Sequence, residues 1–171
     1  MPKLIRNGKV VEDGYVVVRN ATSSADLPPG VPAIVPLALW RAERETLRDG
    51  AGVGVWLAPA DDPAALADDA AHLPVIAVDF PSLADGRGYS IGRLLRERYG
   101  YRGELRAIGD IQRDQLGYLV QVGFDAFALA HGRDEQAALA SLRTFSDGYQ
   151  LTNLRAPWFR RRVAAAAGAA S

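Results

Sequence analysis

Residues able to bind or transform a ligand collect in a few short stretches. The richest is Asp79-Phe80-Pro81-Ser82-Leu83-Ala84-Asp85-Gly86-Arg87-Gly88-Tyr89-Ser90. Its Gly86-Arg87-Gly88 core would let backbone N–H groups approach an anion at a helix start. Arg87 would add a two-pronged contact to a carboxylate, phosphate, sulfate or sulfite. No Lys-Ser/Thr pair follows, and position 91 is Ile, so neither the P-loop nor the dinucleotide fingerprint is met. A purely structural reading competes: a tight turn at Asp85-Gly86, with Arg87 paired to a neighbouring carboxylate.

Asp79 and Asp110 each follow an apolar run at equivalent places. With Asp85 they could act as acid/base groups or hold a divalent cation; equally, each could cap the next turn or pair with Arg87 or Arg113. Asp110 and Asp114 bracket Gln112-Arg113 at a helix start. His131 ends another apolar run and could move a proton near neutral pH. The two histidines have no metal-ligand spacing, so no metal site is expected.

Composition narrows the chemistry. Twenty basic residues balance twenty acidic ones, which argues against a general nucleic-acid binder. The chain has no cysteine, so disulfides, thiolate nucleophiles and cysteine-ligated clusters are excluded. No run approaches the ~18 apolar residues of a membrane span, and the first residues lack a signal-peptide core. A cytoplasmic protein with no membrane partner is expected.

The elements that must position these residues read as follows. Arg6-Asn7-Gly8 marks a hairpin between Lys3–Ile5 and Lys9–Val11; Tyr15–Val18 adds a third short strand to a small antiparallel piece. Residues 21–32 read as a linker. Apolar strands are predicted at 33–35, 53–58, 74–78, 104–108 and 124–129, with helices over 37–48, 64–73, 89–99, 112–122 and 134–145. Strands that are apolar throughout and alternate with helices imply a mainly parallel α/β sheet of four or five βα units, half-barrel-like or doubly wound. In either arrangement ligands bind beyond the carboxyl ends of the strands. That rim would gather Asp79, Asp85, Arg87, Asp110, Arg113, Asp114, His131 and Arg133. The organisation expected is an N-terminal hairpin appendage (1–20), an α/β domain (31–150) and a C-terminal tail (151–171). Trp158-Phe159 beside Arg160-Arg161-Arg162 makes the tail either unstructured or a docking segment. Arg93, Arg96, Arg98, Arg102 and Arg106 read as a solvated face, or as a patch for an acidic partner.

Taken together, Asp79-Phe80-Pro81, Asp85-Gly86-Arg87-Gly88-Tyr89-Ser90, Leu94-Leu95-Arg96, Gly103-Glu104-Leu105-Arg106-Ala107, Gly109-Asp110, Arg113-Asp114-Gln115-Leu116 and Gly123-Phe124-Asp125-Ala126-Phe127 resemble an uncharacterised bacterial family, domain of unknown function 934. The likeness spans residues 31–150. The resemblance implies a role beside assimilatory sulfite reductase, in reducing sulfite for cysteine synthesis, and a loose oxidoreductase label; it implies no catalytic residues. That reductase holds siroheme and an iron–sulfur cluster, for which this chain has no cysteine ligands. Three functions fit these features. The first is an accessory protein that binds an anion or the reductase without its own redox centre. The second is an enzyme acting on a small anion with a bound flavin or nicotinamide. The third is a structural module that self-associates as a homodimer.

Overall fold

At the Asn7-Gly8 turn the local chemistry decides the geometry. β1 (Lys3–Arg6) and β2 (Lys9–Glu12) pair antiparallel across it, with Asn7 at φ 50° and Gly8 at φ 73°. Two left-handed central residues match the twist of the strands they join. The computed structural model describes residues 2–148 other than 51, 83 and 131, with side chains as far as residue 142. The tail and its Trp158-Phe159 segment lie outside the described residues.

Beyond the hairpin come β3 (Val16–Val17), β4 (Ala33–Pro36), α1 (Leu37–Ala42), α2 (Arg44–Arg48), β5 (Val53–Leu57), β6 (Val75–Phe80), α3 (Arg87–Glu97), β7 (Glu104–Gly109), α4 (Leu116–Gln121), β8 (Ala126–Phe127) and α5 (Glu135–Gly148). One eight-stranded sheet takes all the strands in the order β2-β1-β8-β7-β6-β5-β4-β3. Strands β3 to β8 are parallel to one another. Their order follows the chain without reversal, so there is no switch point and the doubly wound alternative is excluded. Right-handed crossovers that all step the same way put every helix on one face of the sheet.

The sheet curls into a half-barrel. Only Asp13, Gly14 and Tyr15 separate the two outermost strands, β2 and β3. Four Cα steps reach at most ~14 Å, whereas eight strands laid flat would hold the edges about 34 Å apart. The edges must therefore approach, and residues 9–17 span the gap as a strap. The hairpin, expected as an appendage, is bonded into the sheet, Ile5 opposite Phe127 and Arg6 opposite Ala126. β3, expected beside the hairpin, joins the far edge instead, Val16 opposite Ala33.

Both faces are covered. Val35, Val55, Leu57, Ile76, Val78, Phe80, Leu105, Ala107 and Phe127 meet the helices in the larger core. On the concave side Ile34, Val75, Ala77 and Ile108 pack with Tyr15, Val17, Trp56 and Ala128. Double burial is why the strands read as unbroken apolar runs; β6 is buried at every position.

Two of the arginines read as a solvated face are structural. Arg106 is 0% exposed on the concave side. Its Nη1 donates to both carboxylate oxygens of Asp13 at 2.9 Å, its Nε donates to Glu104 Oε1 at 2.7 Å, and it stacks on Tyr15 with its Cζ 5.5 Å from the ring centroid. Arg6 adds a second contact to Glu104 at 3.3 Å. On the helix side, Arg96 donates to the carbonyls of Tyr101, Gly103 and Gly123 and to Asp125 Oδ2. Burial raises the Asp125 carboxyl pKa above its ordinary value, with Arg96 pulling the other way. Arg93, paired with Glu97, does face solvent as expected.

Two predicted helices are curtailed. Residues 64–73 form only a short 3-10 turn, Pro63–Leu66, followed by turns. Asp69 points inward there, accepting from Trp40 Nε1 at 2.9 Å and pairing with Arg44. The helix over 37–48 breaks at Glu43 (φ −124°), whose carboxylate accepts from Ser24 N–H at 3.0 Å. In both places a side chain is held by a residue distant in sequence.

Candidate functional site

Asp79 is the penultimate residue of β6 and lies on the concave side, on the same face as Val75 and Ala77. Arg19, which follows the strap, donates to Asp79 Oδ1 at 2.8 Å and lies over the Trp56 ring, 5.6 Å from its centroid. The two form an ion pair, and the hydrogen bond to Asp79 raises the Arg19 pKa above its ordinary value. Across from Asp79, Gly109 has φ 101°, and a Cβ there would stand 2.8 Å from Asp79 Oδ1 and collide with the Phe80 carbonyl. Only glycine permits this approach, and it brings Asp110 N–H within 2.8 Å of the Phe80 carbonyl. Asp79 and Asp110 therefore share one part of the rim.

The Gly86-Arg87-Gly88 segment opens α3, as expected. Asp85 occupies the place an anion would take: its Oδ1 accepts from Arg87 N–H at 3.2 Å and Nε at 3.0 Å, and its Oδ2 accepts from Nη2 at 2.7 Å. Arg87 holds the Asp85 carboxyl below its usual range. Gly88 is buried under Phe80, where a Cβ would sit 2.6 Å from the ring. Arg87→Ala is expected to leave the melting temperature essentially unchanged, because an open ion pair is screened by solvent. A fall of several degrees in a thermal scan would show that the pair does more than shape its turn.

A cavity of about 290 Å³ opens between the segments that follow β7 and β8. Gln112, Arg113 and Asp114 line one side, Arg133 and Asp134 the other, and Leu129, Ala137 and Ala138 the apolar wall. Gln115 fixes the first side: its Oε1 accepts from Gln112 N–H at 2.8 Å and its Nε2 donates to the Tyr89 hydroxyl at 3.0 Å. Tyr89 is itself packed edge-on against Phe80, with ring centroids 5.1 Å apart. Asp134 fixes the second side as the cap of α5, accepting from Gln136 N–H at 2.8 Å and Ala137 N–H at 3.1 Å. Gly132 at φ 80° makes the turn that precedes it. Among the described residues, Arg113 and Arg133 carry no ion pair.

The expected rim thus resolves into three groups: Asp79 with Asp110, Asp85 with Arg87, and Arg113 and Asp114 with Arg133. Among the described residues no hydrogen bond or ion pair joins one group to another. His131 lies outside the described residues. Arg19 was invisible as a rim residue, because its loop says nothing of the partner sixty positions away. Gln112, Leu129 and Asp134 could have been found, since they border the same strand ends. Among the described residues no group of three or more His, Cys, Asp or Glu is gathered as metal ligands would be. No helix among them is long and apolar enough to cross a membrane.

A model for a bacterial protein family of unknown function, DUF934, matches residues 54–159. The chain belongs to this family. The matched stretch runs from within β5 past the end of α5, and so includes the Asp79, Asp85–Arg87 and Arg113–Arg133 groups. It begins later than the likeness over 31–150 and leaves out the strap and Arg19. It also extends through Trp158-Phe159, a part of the tail that the likeness had left out. No curated protein and no solved structure matches the chain.

Proposed function

We propose that this member of the family is an accessory protein of sulfite assimilation, one that binds an anion beside β7 and β8 and works with the sulfite reductase without a redox centre of its own. The observation that carries the binding role is the pair of guanidinium groups, Arg113 and Arg133, directed to one cavity with no ion pair among the described residues. Two such groups at the carboxyl ends of parallel strands form a receptor for an oxyanion. Elsewhere the aspartates best placed for acid/base work are held by arginines, Asp79 by Arg19 and Asp85 by Arg87. That favours binding over proton transfer. The place in sulfite assimilation comes from the family resemblance.

The test has two arms. A tagged chain recovered from its native host is expected to bring the sulfite reductase with it, and the purified chain alone to be colourless. In calorimetry, sulfite is expected to give a saturable titration. Arg113→Gln or Arg133→Gln should each weaken it about tenfold or more, the usual weight of a charge-assisted hydrogen bond. A flavin or nicotinamide spectrum in the purified chain would move the reading to the enzyme alternative. Absence of both the reductase and the titration would end it.

A further inference from the structure

We infer that the ligand of the Arg113–Arg133 cavity is an organic monoanion with an aliphatic body, and that a bare inorganic oxyanion fills only part of the site. The inference rests on the preceding reading of the cavity as an anion site and specifies what the anion carries.

Volume is the first argument. The cavity holds about 290 Å³. Water, with one heavy atom, takes ~30 Å³ of liquid volume, so an oxyanion of four or five heavy atoms needs on the order of 120–150 Å³. About half of the space would then be left to solvent. Chemistry of the walls is the second. Arg113 and Arg133 are exposed residues, and Ala137 and the half-buried Leu129 present aliphatic surface in front of the buried Ala138. A water-filled space against such a wall gains free energy when hydrocarbon displaces the water. Local charge is the third. Asp114 and Asp134 line the cavity with the two arginines, so the lining is balanced. A compact dianion would meet two carboxylates as well as two guanidiniums, which costs more than a single charge carried at one end of a neutral body. Asp134 is committed to capping α5, so its charge stays in place.

Alkanesulfonates isolate the claim, because the head group stays constant while the body grows. The full chain is titrated calorimetrically with sulfite, methanesulfonate, butanesulfonate and hexanesulfonate. Each methylene up to butanesulfonate is expected to tighten binding about twofold to fourfold, the range for partial to complete burial of a CH₂. Arg113→Gln and Arg133→Gln should weaken every probe. Ala137→Leu should bring butanesulfonate back to the affinity of methanesulfonate. Arginine-dependent sulfite binding with a flat sulfonate series overturns this inference and leaves the anion site standing. No binding of any probe overturns both. A series that tightens equally in the arginine variants places the hydrocarbon elsewhere and also overturns the inference.

Discussion

Asp13→Ala is expected to lower the unfolding free energy by about 1–3 kcal/mol, the usual cost of leaving a buried donor unsatisfied, because Arg106 keeps Glu104 as its second carboxylate. Arg106 is fully buried, and Asp13 supplies both acceptors of its Nη1. Asp13 also receives Tyr15 N–H at 3.0 Å, which sets the bend of the strap as it crosses from one sheet edge to the other. A domain of this size has a margin of roughly 5–15 kcal/mol, so the loss should be plain in urea denaturation. Replacing both charges, as in Asp13→Leu with Arg106→Met, should recover most of it, because neither partner is then left unpaired. Glu104 keeps Arg6 in that double variant. A loss below about 1 kcal/mol for Asp13→Ala, the range of a surface pair, would mean that this contact does not hold the strap.

Phe80→Ala should be more severe still, about 3–5 kcal/mol, as for other buried aromatic truncations. The Phe80 ring is 0% exposed, seated on Gly88 and edge-on to both Tyr89 and Phe124, with centroids 5.1 and 5.8 Å away. These neighbours belong to different elements and cannot all move inward, so a void should persist. The change should also reach the ligand. Tyr89 receives Gln115, and Gln115 holds the Gln112 backbone at the cavity wall. Phe80→Ala is thus expected to weaken sulfonate binding along with thermal stability, and Phe80→Leu to restore much of both. Full-strength binding in a destabilised Phe80→Ala would disconnect the aromatic stack from the cavity.

Local signals in this chain were readable wherever neighbours decide the outcome. Asn7-Gly8 demanded its hairpin, Asp134 capped its helix, and the apolar runs of β4 to β7 could only be strands covered on both sides. What stayed hidden depends on partners far away in sequence. A half-barrel and a doubly wound sheet share the same alternation; strand order alone separates them, and it is set by which edges meet. Arg106 looked like one of five surface arginines because Asp13, its counter-charge, lies 93 positions earlier. Residues 64–73 had helix composition, yet Trp40 and Arg44 draw Asp69 inward and the helix does not continue. The rim was legible as a set of strand ends. Its division into an aspartate pair, a self-satisfied turn and an arginine-lined cavity was not, because loops of similar composition diverge once their backbones turn.

The pairing of β1 with β8 has a consequence for synthesis. Ile5 leaves the ribosome first but must wait for Phe127 before it finds its place. At ~5–20 residues per second that delay is roughly 6–24 s. Through that interval the hairpin has no neighbouring strand to join, and an isolated hairpin is marginal in water. Of the eight strands, the two of the hairpin are therefore translated before the others yet reach their place in the sheet only once β8 has been made.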